Sequence, residues 1–133
     1  MVAFPLLLIS FAIYNMIAFL WVGTSWTAPM FSIRMPSGTD WAISAGDLLI
    51  ALTLFLLFFE VLKAARNSAR SIFDHVLSTL IFIGALLEFL LVAEAGTSTF
   101  AILLMIALVD VLGGWSVAVR TARRDFSIDS QAQ

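Results

Sequence analysis

Apolar residues gather in four long runs along the chain, and short segments with most of the charged residues separate them. The runs cover residues 4–22, 43–62, 72–93 and 98–119. A membrane-spanning helix needs about 20 mainly apolar residues, so each run is long enough to cross a bilayer. The pattern predicts an all-α fold with a single membrane domain over residues 1–133. This domain is a bundle of four transmembrane helices, followed by a tail at 120–133.

The composition supports a membrane protein. Of the 133 residues, 62% are hydrophobic and 12% are charged, whereas a soluble domain is about half apolar and a quarter charged. The mean hydropathy is +1.05. A formal charge of −2 gives no basic field that would attract nucleic acid. The chain has no cysteine, which excludes disulfides, thiolate nucleophiles and thiolate metal sites.

The first run has an alternative interpretation as a cleaved signal peptide. It has no lysine or arginine before its apolar residues. It is also longer than the apolar core of a signal peptide, which is about 7–15 residues. We therefore expect an uncleaved first span.

The basic residues predict the orientation in the membrane. Six of the seven follow the second or the fourth run: Lys63, Arg66, Arg70, Arg120, Arg123 and Arg124. Only Arg34 lies between the first and second runs. Short cytoplasmic segments carry the excess of lysine and arginine. The second loop, the C-terminus and, with four spans, the N-terminus are thus predicted to be cytoplasmic.

The longest external segment covers residues 24–41, and its prolines and glycine exclude a continuous helix. Apolar and polar residues alternate from Phe31 to Met35, which is typical of a short strand or an extended interfacial strip. Trp21, Trp26 and Trp41 suit the headgroup region. The segment either lies against the outer interface or provides a surface for a partner.

Two helix starts carry the capping-box pattern, in which a serine is followed three residues later by an acid. These are Ser44 with Asp47 and Ser71 with Asp74. In this interpretation both acids are structural, since they also favour the positive end of the helix dipole.

The remaining polar residues at the predicted inner end have structural and chemical interpretations. His75 follows Asp74, and interfacial hydrogen bonding is the structural interpretation. Proton exchange is the alternative, because imidazole exchanges protons near neutral pH. A single histidine without cysteine cannot build a usual zinc or bis-histidine haem site. Glu60 lies three residues before Lys63, so the two can pair on one helix, with Glu60 extending to the interface.

Glu88 and Asp110 lie deeper in the predicted spans. A carboxylate that faces lipid at the bilayer centre costs about 2.5–3.5 kcal/mol on insertion scales, so both should face protein or water. Either they make interhelical hydrogen bonds that fix packing, or they carry protons or ions. Asp110 shares a helix face with Gly113, next to Gly114, and small residues favour close helix packing.

Helical spacing and depth suggest how these groups meet. One stripe of the third helix holds Asp74, Ser78, Ile81, Ala85 and Glu88. Three polar levels are predicted: an outer level with Asp47 and Glu88, a middle level with Asp110 and Tyr14 or Asn15, and an inner level with Glu60, Asp74 and His75.

The chain resembles small four-helix proteins of the bacterial inner membrane. The resemblance rests on GDLLIALTLFLLFFEVLKA, FDHVLSTLIF and LVDVLGGWSV, which cover about half of the chain. The resemblance implies a four-helix fold in that membrane. It implies no activity, no cofactor and no site residue. Small multidrug-resistance transporters have a similar length, but they carry an essential glutamate in their first span, where this chain has none.

Three functions are considered as hypotheses. We find no phosphate-binding glycine loop, no Ser-His-Asp spacing and no HExxH motif, so no catalytic residue and no cofactor is predicted. The first hypothesis is a non-enzymatic membrane protein that forms a homo-oligomer or serves as an accessory subunit of a larger membrane complex. The alternative is a proton- or cation-coupled transporter or channel subunit that uses Asp110 and Glu88. A membrane enzyme acting on a lipid-soluble substrate has the least support.

Overall fold

The computed structural model describes residues 4–66 and 72–132 of the chain. Its elements run, in chain order, α1 (Leu7–Leu20), β1 (Pro29–Arg34), β2 (Asp40–Ser44), α2 (Ala45–Arg66), α3 (Ile72–Leu91), a 3₁₀ turn (Ala93–Ala95) and α4 (Ser98–Ala132). Ser71 and Arg70 lie outside the described residues, so the capping box that begins at Ser71 stays a prediction.

Among the described residues, three helices are long and apolar enough to cross a membrane: Ala45–Lys63, Ile72–Leu91 and Ser98–Ser116. The predicted spans over these three regions agree with the structure to within three residues. Helix α4 continues to Ala132, through the segment predicted to be a tail.

Helix α1 is shorter than the predicted first span. It has 14 residues, or about 21 Å at 1.5 Å per residue, against a hydrocarbon core of about 30 Å. Two features of the chain limit it. Pro5 lies just before the helix, and Gly23, with φ +89°, follows its end in a conformation that favours glycine.

The all-α prediction is incomplete, because β1 and β2 form a two-stranded antiparallel sheet. The alternation from Phe31 to Met35 did indicate extended chain at this place. The hairpin closes through a turn in which the Gly38 N–H donates to the Met35 carbonyl oxygen (2.9 Å). Pro36 occupies the second turn position, where its fixed φ is favourable, and Gly38 has φ +93°.

Helix α4 is the centre of the bundle and packs most extensively against α2 and α3, while α1 lies across α2 and α4. The best-buried side chains of the core are aromatic or aliphatic: Tyr14, Phe100 and Leu103. The Phe100 ring meets Phe11 edge-on, with the centroids 5.5 Å apart, and stacks on Phe89 at 6.1 Å. This core joins α1, α3 and α4 beside the 3₁₀ turn.

Gly46 allows the start of α2 to lie directly against two other segments. Its N–H donates to the Trp26 carbonyl oxygen (3.0 Å). A Cβ at this position would lie 2.6 Å from Thr99 Oγ1 and 2.7 Å from the Trp26 carbonyl oxygen. Only glycine fits this contact without a shift of its neighbours.

Candidate functional site

Glu60 is fully buried and joins α2 to the start of α1. Its Oε1 accepts hydrogen bonds from the Leu6 N–H (3.0 Å) and from Lys63 Nζ (3.0 Å). Lys63 Nζ also donates to the Phe4 carbonyl oxygen (2.8 Å). The predicted Glu60–Lys63 pair is confirmed, and the Glu60 side chain is buried within the protein. It places a negative charge at the N-terminal end of α1, where the helix dipole favours one.

The capping box at the start of α2 is confirmed. The Ser44 N–H donates to Asp47 Oδ2 (3.0 Å), and the Asp47 N–H donates to Ser44 Oγ (3.2 Å). This reciprocal pair satisfies two backbone donors at the helix start. Asp47 thus has a structural explanation.

Tyr14 does not meet Asp110, which corrects the predicted middle level. Its hydroxyl donates to the Glu94 carbonyl oxygen (2.8 Å) and lies 2.8 Å from Thr97 Oγ1. Thr97 Oγ1 in turn accepts from the Phe100 N–H (3.2 Å), as an N-cap side chain does. Tyr14 thereby fixes α1 to the beginning of α4.

Trp26 is packed inside the protein. It is only 7% exposed, and its ring stacks on Tyr14 with the centroids 4.5 Å apart and the planes 9° apart. It therefore belongs to the protein core, and its depth at the headgroup region stays a prediction. Trp21 and Trp41 are exposed, as an interfacial position requires.

Asn15 lies beside Glu88, and not beside Asp110. Its Nδ2 donates to Glu88 Oε1 (3.3 Å) and to the Phe11 carbonyl oxygen (2.9 Å). The two side chains line an open groove of about 290 Å³ between α1 and α3. The other residues along it are apolar: Leu8, Phe11, Ala12, Ile81, Gly84 and Ala85.

Asp110 is half-buried and lines a small cavity of about 10 Å³. Pro5 and Leu7 of the α1 start, Ser78 and Ile81 of α3, and Ala107 form the rest of its wall. The side chain therefore faces the other helices, as the cost of a lipid-exposed carboxylate requires. The cavity is at the lower limit for one water molecule, about 10–15 Å³.

His75 is buried where α3 packs against α4, and its depth near the cytoplasmic interface stays a prediction. A Cβ on Gly114 would lie 2.8 Å from His75 Nδ1, and the rings of His75 and Trp115 are 5.4 Å apart. Trp115 Nε1 donates to Thr79 Oγ1 (2.8 Å), and Thr79 Oγ1 donates to the His75 carbonyl oxygen (2.7 Å). Asp74 is half-buried next to this cluster.

The close approach predicted for the Asp110 face involves Gly114 and not Gly113. Gly113 is exposed, with open space where a Cβ would be, whereas Gly114 is buried against His75. The predicted stripe on α3 does face protein, because Ser78, Ile81, Ala85 and Glu88 all line spaces shared with α1.

Buried hydroxyl groups were not singled out from the sequence. Thr53 Oγ1 lies 2.8 Å from Ser10 Oγ and 2.7 Å from the Leu49 carbonyl oxygen, and both hydroxyl residues are fully buried. In the sequence, each of them is a single Ser or Thr inside an apolar run. Such a hydroxyl group also needs a hydrogen-bond partner within the membrane. Ser78 differs, since its buried Oγ has no hydrogen-bond partner among the described residues.

Within residues 4–66 and 72–132, no group of three or more potential ligand side chains forms a metal site. In comparisons with family models, with curated proteins and with solved structures, nothing matches the chain. The resemblance noted in the sequence thus stays a prediction.

Proposed function

We propose that this chain is a non-enzymatic integral membrane protein of the bacterial inner membrane. It assembles as a homo-oligomer or as an accessory subunit of a larger membrane complex. The observation that supports this most strongly is the way in which polar side chains inside the bundle bond to one another and to the backbone. Examples are Glu60 with Lys63, Thr53 with Ser10, and Tyr14 with Thr97.

The bonds of Ser10, Tyr14 and Glu60 to residues outside their own helices join separate segments of the chain. Tyr14 and Ser10 fix α1 to α4 and α2, and Glu60 holds the α1 start. Groups with such roles fix helix packing, and interhelical bonds of this kind contribute about 0.6 kcal/mol on average. The cavity at Asp110 is also far too small for a hydrated ion.

The apolar surface supports assembly. Most residues of each candidate span are not buried within the isolated chain. Exposed large apolar side chains extend along every helix, for example Phe55 and Phe59 on α2 and Leu90 on α3. Such surface is covered by lipid or by a neighbouring helix in a membrane. The exposed surface of the four helices is large enough to contact both lipid and a neighbouring helix.

The orientation proposed from the basic residues agrees with how the elements meet. The Leu6–Glu60 bond places the beginning of α1 beside the end of α2. The hairpin with Arg34 lies between the end of α1 and the beginning of α2, at the opposite end of both helices. We propose that the Lys63 end is cytoplasmic and that the hairpin is external.

The particle mass in a mild detergent and in nanodiscs prepared from native membranes tests the assembly. We expect one defined homo-oligomer, or a stoichiometric complex with other membrane subunits, that survives dilution. Two differently tagged copies expressed together should co-purify if the partner is a second copy. A monodisperse monomer under all of these conditions would contradict the proposal.

The alternative, proton- or cation-coupled transport, is favoured by one observation. The groove between α1 and α3 is open and holds Glu88 and Asn15 at one end. A Glu88→Gln variant keeps a hydrogen-bond acceptor for Asn15 but cannot ionise. Under this alternative the variant loses flux, whereas under our proposal it keeps its assembly and has no flux to lose.

A further inference from the structure

The hairpin of β1 and β2 has one apolar face. Residues directly opposite each other in an antiparallel pair lie on the same face of the sheet. The register pairs Phe31 with Ile43 and Ile33 with Trp41. All four side chains are apolar or aromatic, so the face they share is apolar.

The other face is polar. It carries the pairs Ser32 with Ala42 and Arg34 with Asp40. The Arg34 Nη1 and Asp40 Oδ1 atoms are 3.2 Å apart, and the two side chains are 73% and 62% exposed. The hairpin is therefore amphipathic across its thickness.

The apolar face is continuous with the surface of the bundle. At its base Ile43 is buried, whereas farther along the strands Phe31, Ile33 and Trp41 are about half exposed. No linker separates hairpin and helix, because β2 ends at Ser44 and α2 begins at Ala45. The height of the hairpin relative to the α2 span is thereby fixed.

We propose that the apolar face of this hairpin lies in the outer interfacial layer of the bilayer, with lipid as its partner. Leaving these large side chains in water would forgo about 25 cal/mol per Å² of apolar area. Trp41 suits the boundary between headgroups and acyl chains. The Arg34–Asp40 pair on the opposite face then points to water. A second copy of the chain or a soluble partner on this face are the competing outcomes.

The absence of cysteine makes a site-specific test direct. Single Ile33→Cys and Ser32→Cys variants place a spin label on the two faces at adjacent positions, both of them exposed. A second pair, Trp41→Cys and Ala42→Cys, repeats the comparison on β2. The full chain is reconstituted in vesicles of phosphatidylethanolamine and phosphatidylglycerol. Collision with oxygen, which partitions into lipid, is compared with collision with a water-soluble nickel chelate.

The expected result is an inversion of the oxygen-to-nickel ratio within each pair, with Ile33→Cys and Trp41→Cys favouring oxygen. Equal access of nickel to both faces would overturn the proposal in favour of a hairpin in water. Exclusion of both reagents from position 33, with dipolar broadening between labels, would overturn it in favour of a second copy. The same exclusion without broadening, seen only when other proteins are present, would indicate a different partner and also overturn it.

A Leu54→Cys variant, exposed in the middle of α2, separates failure of this proposal from failure of the membrane placement. Oxygen access at position 54 with nickel access at position 33 rejects the hairpin placement alone. Nickel access at position 54 rejects the membrane placement and, with it, this proposal.

Discussion

At the scale of single residues, the adjacent Thr79 and Ser78 on α3 differ in their hydrogen bonding. Thr79 Oγ1 accepts from Trp115 Nε1 and donates to the His75 carbonyl oxygen. Ser78 Oγ, one position earlier, is buried without a partner among the described residues. The two positions therefore form a matched pair.

Thr79→Val keeps the shape of the side chain but removes its oxygen. We expect it to lower the free energy of unfolding in detergent by about 1–3 kcal/mol, the cost of leaving a buried donor unsatisfied. Ser78→Ala serves as the control, and it should leave that free energy unchanged or raise it. An equal loss in both variants would mean that the Trp115–Thr79 bond does not stabilise the bundle.

Glu60 provides a second residue-scale prediction, because its carboxylate accepts from the Leu6 N–H. Glu60→Leu should destabilise the protein by about 1.5–3 kcal/mol, the range for hydrogen bonds to charged groups. Hydrogen exchange of the Leu6 amide should accelerate, while amides near Leu103 in the core of α4 keep their protection. Glu60→Gln retains an acceptor and should lie in between. Unchanged protection of Leu6 would contradict the anchoring role.

The sequence predicted some of these contacts and missed others for a physical reason. Near neighbours on one helix are set by local geometry, so Glu60 with Lys63 and Ser44 with Asp47 were predictable. Which side chains of different helices meet depends on the depth at which each helix lies in the membrane. The prediction placed Tyr14 at mid-membrane from the apolar run alone, whereas Pro5 and Leu7 of the α1 start reach the level of Asp110.

At the scale of elements, contacts between α3 and α4 depend on one glycine of an adjacent pair. Gly114 lies against the His75 ring, and Gly113 faces open space. The small residues beside Asp110 predicted a packed face here, and the prediction chose Gly113 where the structure has Gly114 against the neighbouring helix. That choice depends on the rotation of α4 within the bundle.

We expect opposite effects of alanine at these two positions. Gly114→Ala should force the His75 ring to move and lower the free energy of unfolding by about 1–3 kcal/mol, as overpacking does. Gly113→Ala meets no neighbour and should be neutral or stabilising, by up to about 1 kcal/mol from helix propensity. Unfolding of both variants in the same detergent checks this. A larger loss for Gly113→Ala would contradict the α3–α4 packing.

Element lengths were predictable where composition alone sets them. The three candidate spans coincide with their apolar runs. Helix α1 does not, since its ends are set by Pro5, by the Trp21–Gly23 turn and by the side chain of Glu60 on another helix. The hairpin was not predicted, because β1 needs a partner strand. Only the first part of β2, around Trp41, lies within the segment predicted to be non-helical.

At the scale of the whole molecule, the orientation that we propose places both ends of the chain on the cytoplasmic side. Cysteines introduced singly at Ser37, in the hairpin turn, and at Ser130 should respond differently to an impermeant thiol reagent in intact cells. Ser37→Cys should be labelled, and Ser130→Cys should be labelled only after lysis. The opposite pattern would overturn the topology.

We propose that the carboxylates inside the bundle hold the helices together and do not conduct ions. Asp110 decides the matter most directly, because its cavity of about 10 Å³ is closed in by side chains of α1, α3 and α4. Asp110→Asn keeps size and hydrogen bonding but cannot ionise, whereas Asp110→Leu removes both properties. Under this account the Asn variant retains the particle mass of the wild type, and the Leu variant loosens the packing.

The decisive measurement is proton flux into dye-loaded proteoliposomes under a pH gradient, for the wild type and for Asp110→Asn. Both proteins carry Ser37→Cys, because the chain has no cysteine of its own, and equal labelling at this position shows that both are reconstituted in the same orientation. The account predicts that both proteins conduct no faster than protein-free vesicles across the pH range. A pH-dependent flux in the wild type that Asp110→Asn abolishes, with assembly intact, would contradict it.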